Sequence, residues 1–336
     1  MVNYMTEVEI PESRNKIDFG DRVMFLGSCF AENIGVKMSK SHFNVRINPF
    51  GKMYNPMTVS MACKRMLNPV RFGEKDLFFH NGLYGSFFHH SSFSKPDMED
   101  CLKNMNESLE IAVKDFHNLS HLIITFGSAY IYCLKENRTI VANCHKRPET
   151  DFLRERISVD QITKEWSERI PDLLKINPAL KLIFTVSPIR HFRDGGHNNQ
   201  VSKATLMLSE QILMEMYPEN VSYFPVYEIM MDELRDYRFY AEDMIHPSSL
   251  AINHIWERFC KTYMTGDTRY LVNEINGLNK SLNHRVLNNC SKEYKIFLKQ
   301  TLSKIERLKE KNPYICLVKD ETEIKNKIDE FENKQR

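Results

Sequence analysis

Arg22-Val23-Met24-Phe25-Leu26-Gly27-Ser28-Cys29-Phe30-Ala31-Glu32-Asn33-Ile34-Gly35 begins as an apolar run and ends with helical spacing. The first five residues suit a buried strand. The chain breaks at Gly27-Ser28, and a helix takes over from Cys29. A strand that turns sharply into a helix presents its turn residue at the carboxyl edge of a sheet, beside N–H groups that no helical bond uses. Further strand-like runs fall at 42–47, 121–126, 182–186 and 222–226. Between them, 57–66, 98–116, 158–176 and 203–217 carry helical periodicity. Strand and helix in alternation imply an α/β fold with a largely parallel sheet covered on both faces. In such sheets the ligand site lies beyond the carboxyl ends of the strands. Ser28, Gly51, Gly127, Arg190 and His191 all follow expected strands.

Residues 131–134 and 139–142 flank Lys135-Glu136-Asn137-Arg138 and read as a hairpin. From about Thr265 the texture changes: 278–289 and 293–310 are polar or amphipathic helical stretches, and the last twenty residues are rich in Lys and Glu. The expected organisation is therefore a catalytic domain over 1–264 and a C-terminal helical extension over 265–336, with a frayed, solvated end.

The 336 residues suffice for one large core or two smaller ones, and 42% hydrophobic content with 27% charge is ordinary for a soluble globular chain. A net charge of +2 gives no broad electrostatic reason to expect nucleic acid or an anionic membrane as partner. The first nine residues lack a basic and then apolar leader, and no apolar run approaches a membrane span. Eight cysteines (29, 63, 101, 133, 144, 260, 290 and 316) are scattered without a Cys-x-x-Cys pair. That suits reduced thiols in a cytosol, and neither a metal nor another cofactor is expected.

Two hundred residues beyond Ser28, Ala241-Glu242-Asp243-Met244-Ile245-His246-Pro247 sets an acid three residues before an imidazole. A serine hydroxyl becomes a good nucleophile only when a neutral imidazole takes its proton. The imidazole in turn needs a carboxylate to fix its tautomer. Each element also has a plainer reading. Ser28 suits a helix N-cap, Asp243 can serve loop amides, and Pro247 can open the helix that follows at 250–263. Cys29 is the rival nucleophile, although its side chain should point about 100° away from that of Ser28, into the core. Asn143 is a candidate oxyanion donor or a turn residue. His89-His90 can line a pocket or simply pack, and Arg190, His191 and Arg193 can hold an anionic group or pair with acids such as Glu228.

Gly27-Ser28-Cys29-Phe30-Ala31 resembles the motif that names the GSCFA family, a branch related to the SGNH (GDSL-like) hydrolases. Asn48-Pro49-Phe50-Gly51, Tyr54-Asn55-Pro56, Phe126-Gly127-Ser128-Ala129, Asn143-Cys144-His145-Lys146 and Ser187-Pro188-Ile189-Arg190-His191 look like further blocks of that family. So does the run from Tyr223-Phe224-Pro225 to His246-Pro247-Ser248. The resemblance covers about residues 5 to 260. It implies a three-layer, flavodoxin-like parallel sheet, with Ser28 as nucleophile, His246 as base and Asp243 orienting the base. It implies an ester hydrolase acting through an acyl-enzyme on a small acylated molecule, such as an acylated sugar. Acyl transfer by the same triad and a silent binding pocket are the alternatives. The oxyanion hole would comprise Ser28 and Gly51. Alanine at 129 departs from the asparagine that SGNH enzymes carry in their third block, and Asn143 is the expected replacement. Gly127, His90, His145, Arg190 and His191 are the expected substrate contacts.

Overall fold

The structure, a computed structural model, describes residues 6–284 and 291–333. Five parallel strands form the central sheet: β1 (Arg22–Gly27), β2 (Asn44–Ile47), β3 (His121–Phe126), β4 (Lys181–Val186) and β5 (Val221–Tyr223). Their order is β2-β1-β3-β4-β5, the flavodoxin-like arrangement. The chain leaves β1 toward β2 on one side and returns to β3 on the other. Ser28 therefore stands where the direction of winding reverses, at the carboxyl ends of β1 and β3.

Alternation along β1 divides the core. Met24 and Leu26 join one apolar cluster with helices α2 (Pro56–Leu67), α3 (Met98–Phe116), α4 (Val159–Ile176) and α5 (Gly195–Met216). Val23 and Phe25 join the other, with α1 (Cys29–Lys40) and α6 (Ser249–Tyr263). Period-two burial on a parallel sheet covered on both faces requires this division. The second cluster continues into α7 (Gly266–Leu282), α8 (Lys292–Lys311) and α9 (Val318–Asn333), so the C-terminal helices share the core on the α1 and α6 side of the sheet.

Several expectations need correction. The strand expected over 222–226 stops at Tyr223, because Pro225 has no N–H to extend a ladder, and helical turns begin at Val226. Helix α5 starts at Gly195, eight residues before the expected start, since Gly195-Gly196 hid its first turn. Pro247 does not open α6: the cap is Ser248, whose hydroxyl accepts from Ala251 N. The tail is not a wholly solvated face, for Ile324 and Phe331 are buried. The helix expected over 278–289 begins at Gly266, and residues 285–290, with Cys290, lie outside those described. Two pieces went unread: a strand at Phe152–Arg156, which completes a three-stranded sheet with Tyr130–Leu134 and Ile140–Val141, and a hairpin of Phe78–His80 with Leu83–Gly85. Among the described residues no helix is long and apolar enough to cross a membrane.

Gly27 holds β1 to β3 at the point where the chain turns. Its φ is +137°, and a Cβ there would lie 2.2 Å from the Thr125 carbonyl oxygen. Gly27→Ala should cost about 3–5 kcal/mol, combining backbone strain with a clash against rigid backbone. Urea unfolding of the two proteins checks this. A loss below about 1 kcal/mol would mean the β1–β3 junction is looser than described.

Candidate active site

Ser28 is 1% exposed and caps α1, its Oγ accepting from Phe30 N at 3.4 Å. Three bonds fix the turn beneath it: Gly27 N donates to Asn48 Oδ1 at 2.9 Å, Met53 N to Gly27 O at 2.9 Å and Ser28 N to Thr125 O at 3.3 Å. Above the turn lies a cavity of about 580 Å³, shared by Ser28, Cys29, Gly127, Asn143, His145 and His191. Cys29 thus faces the cavity and not the core. Burial raises its thiol pKa, which disfavours the thiolate.

The acid–imidazole pair sits on a tight loop. Ala241 N donates to His246 O at 2.7 Å, and Met244 takes a φ of +55° to close the turn. Asp243 Oδ1 accepts from Ile245 N at 3.0 Å and from His246 N at 2.9 Å, while Oδ2 lies 2.5 Å from His246 Nδ1. The carboxylate therefore serves the loop amides and the ring together. The backbone N–H groups of His246 and Ile245, then the ring, pull its pKa down to about 2. His246 Nε2 has no hydrogen-bond partner among the described residues. The ring packs edge-on to His191, centroids 5.8 Å apart. His191 connects the loop to the cavity. Its pKa is lowered by burial, with His246 and Lys203 adding to the effect.

Of the expected oxyanion donors, Gly51 is corrected. Its N–H is spent on Asn48 O at 2.7 Å within a turn, and His90 Cβ crowds its α-carbon. It does not line the cavity. Asn143 does line it, and its Oδ1 is held by His145 N at 2.8 Å, which leaves Nδ2 without a partner among the described residues.

The expected substrate contacts divide. Gly127, His145 and His191 line the cavity; His90 and Arg190 do not. His90 caps a short turn through Nδ1 to Ser92 N, and Arg190 is held by Asn199 Oδ1 at 3.2 Å, with no bond to Glu228. Glu228 instead accepts from Tyr223 Oη. His145 is committed to the scaffold, because Nε2 reaches the carbonyls of Ser86 and His89 and must carry the proton.

Sequence reasoning missed three features. The three-stranded sheet forms a cavity wall of Tyr130, Tyr132, Phe152 and Arg154, on which Asp194 pairs with Arg154 and Arg193 donates to Tyr132 Oη at 2.8 Å. Alternation in 130–134 was legible, but its partner strand carries two arginines and a glutamate and reads as loop. Asn55, a helix cap, also lines the cavity. Asn55-Pro56 carries the signal of a cap followed by a first-turn proline. Lys203, 1% exposed, donates to Gly127 O at 2.8 Å and Ser187 O at 2.6 Å, tying β3 to β4 beneath the cavity. Nothing in its helical neighbourhood marks it as buried.

A family model described as the GSCFA family matches residues 22–259, and one described as the GSCFA domain protein, C-terminal domain, matches 275–330. No curated protein matches. Among solved structures, an acetyl xylan esterase from the rumen bacterium Butyrivibrio proteoclasticus is similar at 13% identity and a TM-score of 0.38. The match covers 78% of this chain and 66% of that one, so it spans just under two thirds of the esterase's length.

Burial pushes the Lys203 amine down to about 7 from its ordinary 10.5. Between those values the unfolded chain binds a proton that the folded chain lacks, so stability should rise with pH across the window. Glu210 is buried beside it with its pKa raised by burial, which has the opposite sign, so the test belongs in a Glu210→Gln background. The buried thiols, whose pKa values are raised, also lower stability as pH rises, so the quantity to read is the difference from a Glu210→Gln/Lys203→Met protein, in which they cancel. That difference in unfolding free energy should climb by about 1 kcal/mol per pH unit from pH 7 to 9.5. A flat difference would show that the amine stays protonated.

Proposed function

We propose that this chain, which belongs to the GSCFA family, is a serine-dependent ester hydrolase of the SGNH type. Support comes chiefly from one juxtaposition: Ser28 at the winding reversal on the cavity floor, with the Asp243–His246 pair on a loop that His191 joins to the same cavity. Ser28 Oγ attacks the ester carbonyl, and His246 Nε2 takes the hydroxyl proton while Asp243 holds Nδ1–H. Collapse of the tetrahedral intermediate expels the alcohol, which receives that proton. Water activated by His246 then releases the acid from Ser28.

In the free protein Ser28 Oγ accepts from Phe30 N and no hydrogen bond joins it to His246, so the loop must bring the ring to the serine as substrate binds. Catalytic bonds often tighten only in the Michaelis complex. Ser28 N–H and the free amide nitrogen of Asn143 are donors for the oxyanion. The wall of Tyr130, Tyr132, Arg154 and Asp194 combines aromatic faces with polar groups, which suits a polyhydroxylated substrate such as an acylated sugar. Residues 1–264 would carry this chemistry and 265–336 would support it. The described cysteines are free, in keeping with a reducing cytosol.

A silent binding pocket is the second reading, favoured by the spent Gly51 amide and the absence of a Ser28–His246 bond. Kinetics with 4-nitrophenyl acetate separate the two. Ser28→Ala should abolish turnover while costing about 0.5–2 kcal/mol of stability for the lost cap, and Cys29→Ala should retain activity. Loss on Cys29→Ala with retention on Ser28→Ala would reverse the assignment. Asp243→Asn should lower kcat about 10⁴-fold, the loss seen when an amide sets the wrong tautomer. Unchanged rates in both Asp243→Asn and His246→Ala would remove the dyad from the mechanism.

A further inference from the structure

We infer that Asn55 donates its side-chain amide to the oxyanion on the substrate carbonyl, taking the place expected of Gly51. The inference rests on the serine-hydrolase reading. It follows from where the N–H groups around Ser28 are spent.

Four backbone candidates are occupied. Gly51 N donates to Asn48 O, and Gly127 N and Ser128 N both donate to Tyr54 O at 2.8 Å. Ala129 N donates to Ser202 Oγ at 2.8 Å. Ser28 N has only a long bond, 3.3 Å, to Thr125 O. Satisfied donors in a folded scaffold do not turn toward a new charge without breaking what they hold.

Those same bonds place Asn55. Met53 N bonds the end of β1 at Gly27 O, and Tyr54 O takes two bonds from the residues just after β3. Residues 53–55 therefore bridge the β1 and β3 ends, directly beside Ser28. Asn55 is 5% exposed, and the surface it keeps lines the cavity it shares with Ser28. Its Oδ1 accepts from Thr58 N at 2.9 Å, capping α2. A backbone N–H can only donate, so oxygen must occupy that end of the planar amide and nitrogen the other. Nδ2 has no acceptor among the described residues. It is a donor that opens on the cavity, fixed in direction by its own cap.

The surroundings favour an anion. α2 runs twelve residues from Asn55, and its positive end lies at the cavity. Pro56 at its first position offers no N–H, and the side chain of Asn55 presents a donor in its place. A donor that needs no reorganisation when charge develops is what transition-state stabilisation requires. With Ser28 N–H and Asn143, it completes a three-donor hole.

Asn55→Ser keeps a capping oxygen and removes the amide; Asn55→Asp keeps a stronger cap if the serine variant folds poorly. With 4-nitrophenyl acetate, kcat should fall about 10²–10³-fold while KM changes by less than about threefold. Phenylboronic acid, which forms a tetrahedral adduct on the serine, should lose affinity in proportion to kcat/KM. A purely structural cap would not produce that parallel loss. If the wild type is active and the variant keeps its rate and boronate affinity within about threefold, Asn55 is only a cap and the inference is wrong. A wild type that neither turns over nor binds boronate would overturn the hydrolase reading itself, and this inference with it.

Discussion

The contact of Gly27 with the Thr125 carbonyl organises the remainder of the site. No side chain can occupy that position, so β1 and β3 approach closely at their carboxyl ends and the chain must turn away there. The turn makes Ser28 the cap of α1. It also opens a crevice between strands whose connections run to opposite sides of the sheet, where parallel α/β folds gather their ligands. The second approach, of residues 53–55 across the same gap, closes the floor with bonds to both strand ends. A cavity with a buried hydroxyl at its base then follows from backbone packing alone.

Beneath that floor the stabilising group is itself ionisable. Lys203 replaces the missing hydrogen-bond partners of two strand-end carbonyls, and a neutral amine can still do so with its two N–H groups. Burial disfavours the charge more than it disfavours the bonds. The loop bearing His246 is built differently. It stands on the rim, and its carboxylate is stabilised by amides of its own turn and not by burial. The buried half of the site thus carries the serine, and the exposed half carries the carboxylate and the imidazole. That division suits a site in which substrate brings the two together.

The fold was legible because its strands are apolar runs bounded by Gly, Ser and Pro, and because α3 and α4 have clean amphipathic periods. The winding order was not, since periodicity says nothing about which strands pair; it came from resemblance. Ser28, Asp243 and His246 were legible as candidates, by residue type and spacing. Gly51 was misread because a glycine after a strand suggests a free amide, whereas Asn48-Pro49-Phe50-Gly51 closes a turn that consumes it. Asn55 carries no signal beyond a helix cap in the sequence, because its amide nitrogen finds the cavity only once the chain is folded. Lys203 gave no signal at all: burial of a lysine is a tertiary fact.

The account stands on a covalent intermediate at Ser28. Mixing the protein with 4-nitrophenyl acetate, quenching in acid within seconds and sequencing the peptides by tandem mass spectrometry would look for it directly. One acetyl group on the hydroxyl of Ser28, absent when the protein is denatured beforehand, is the expected result. Acetyl on Cys29 or His246 alone, or no adduct alongside steady turnover, would contradict the account.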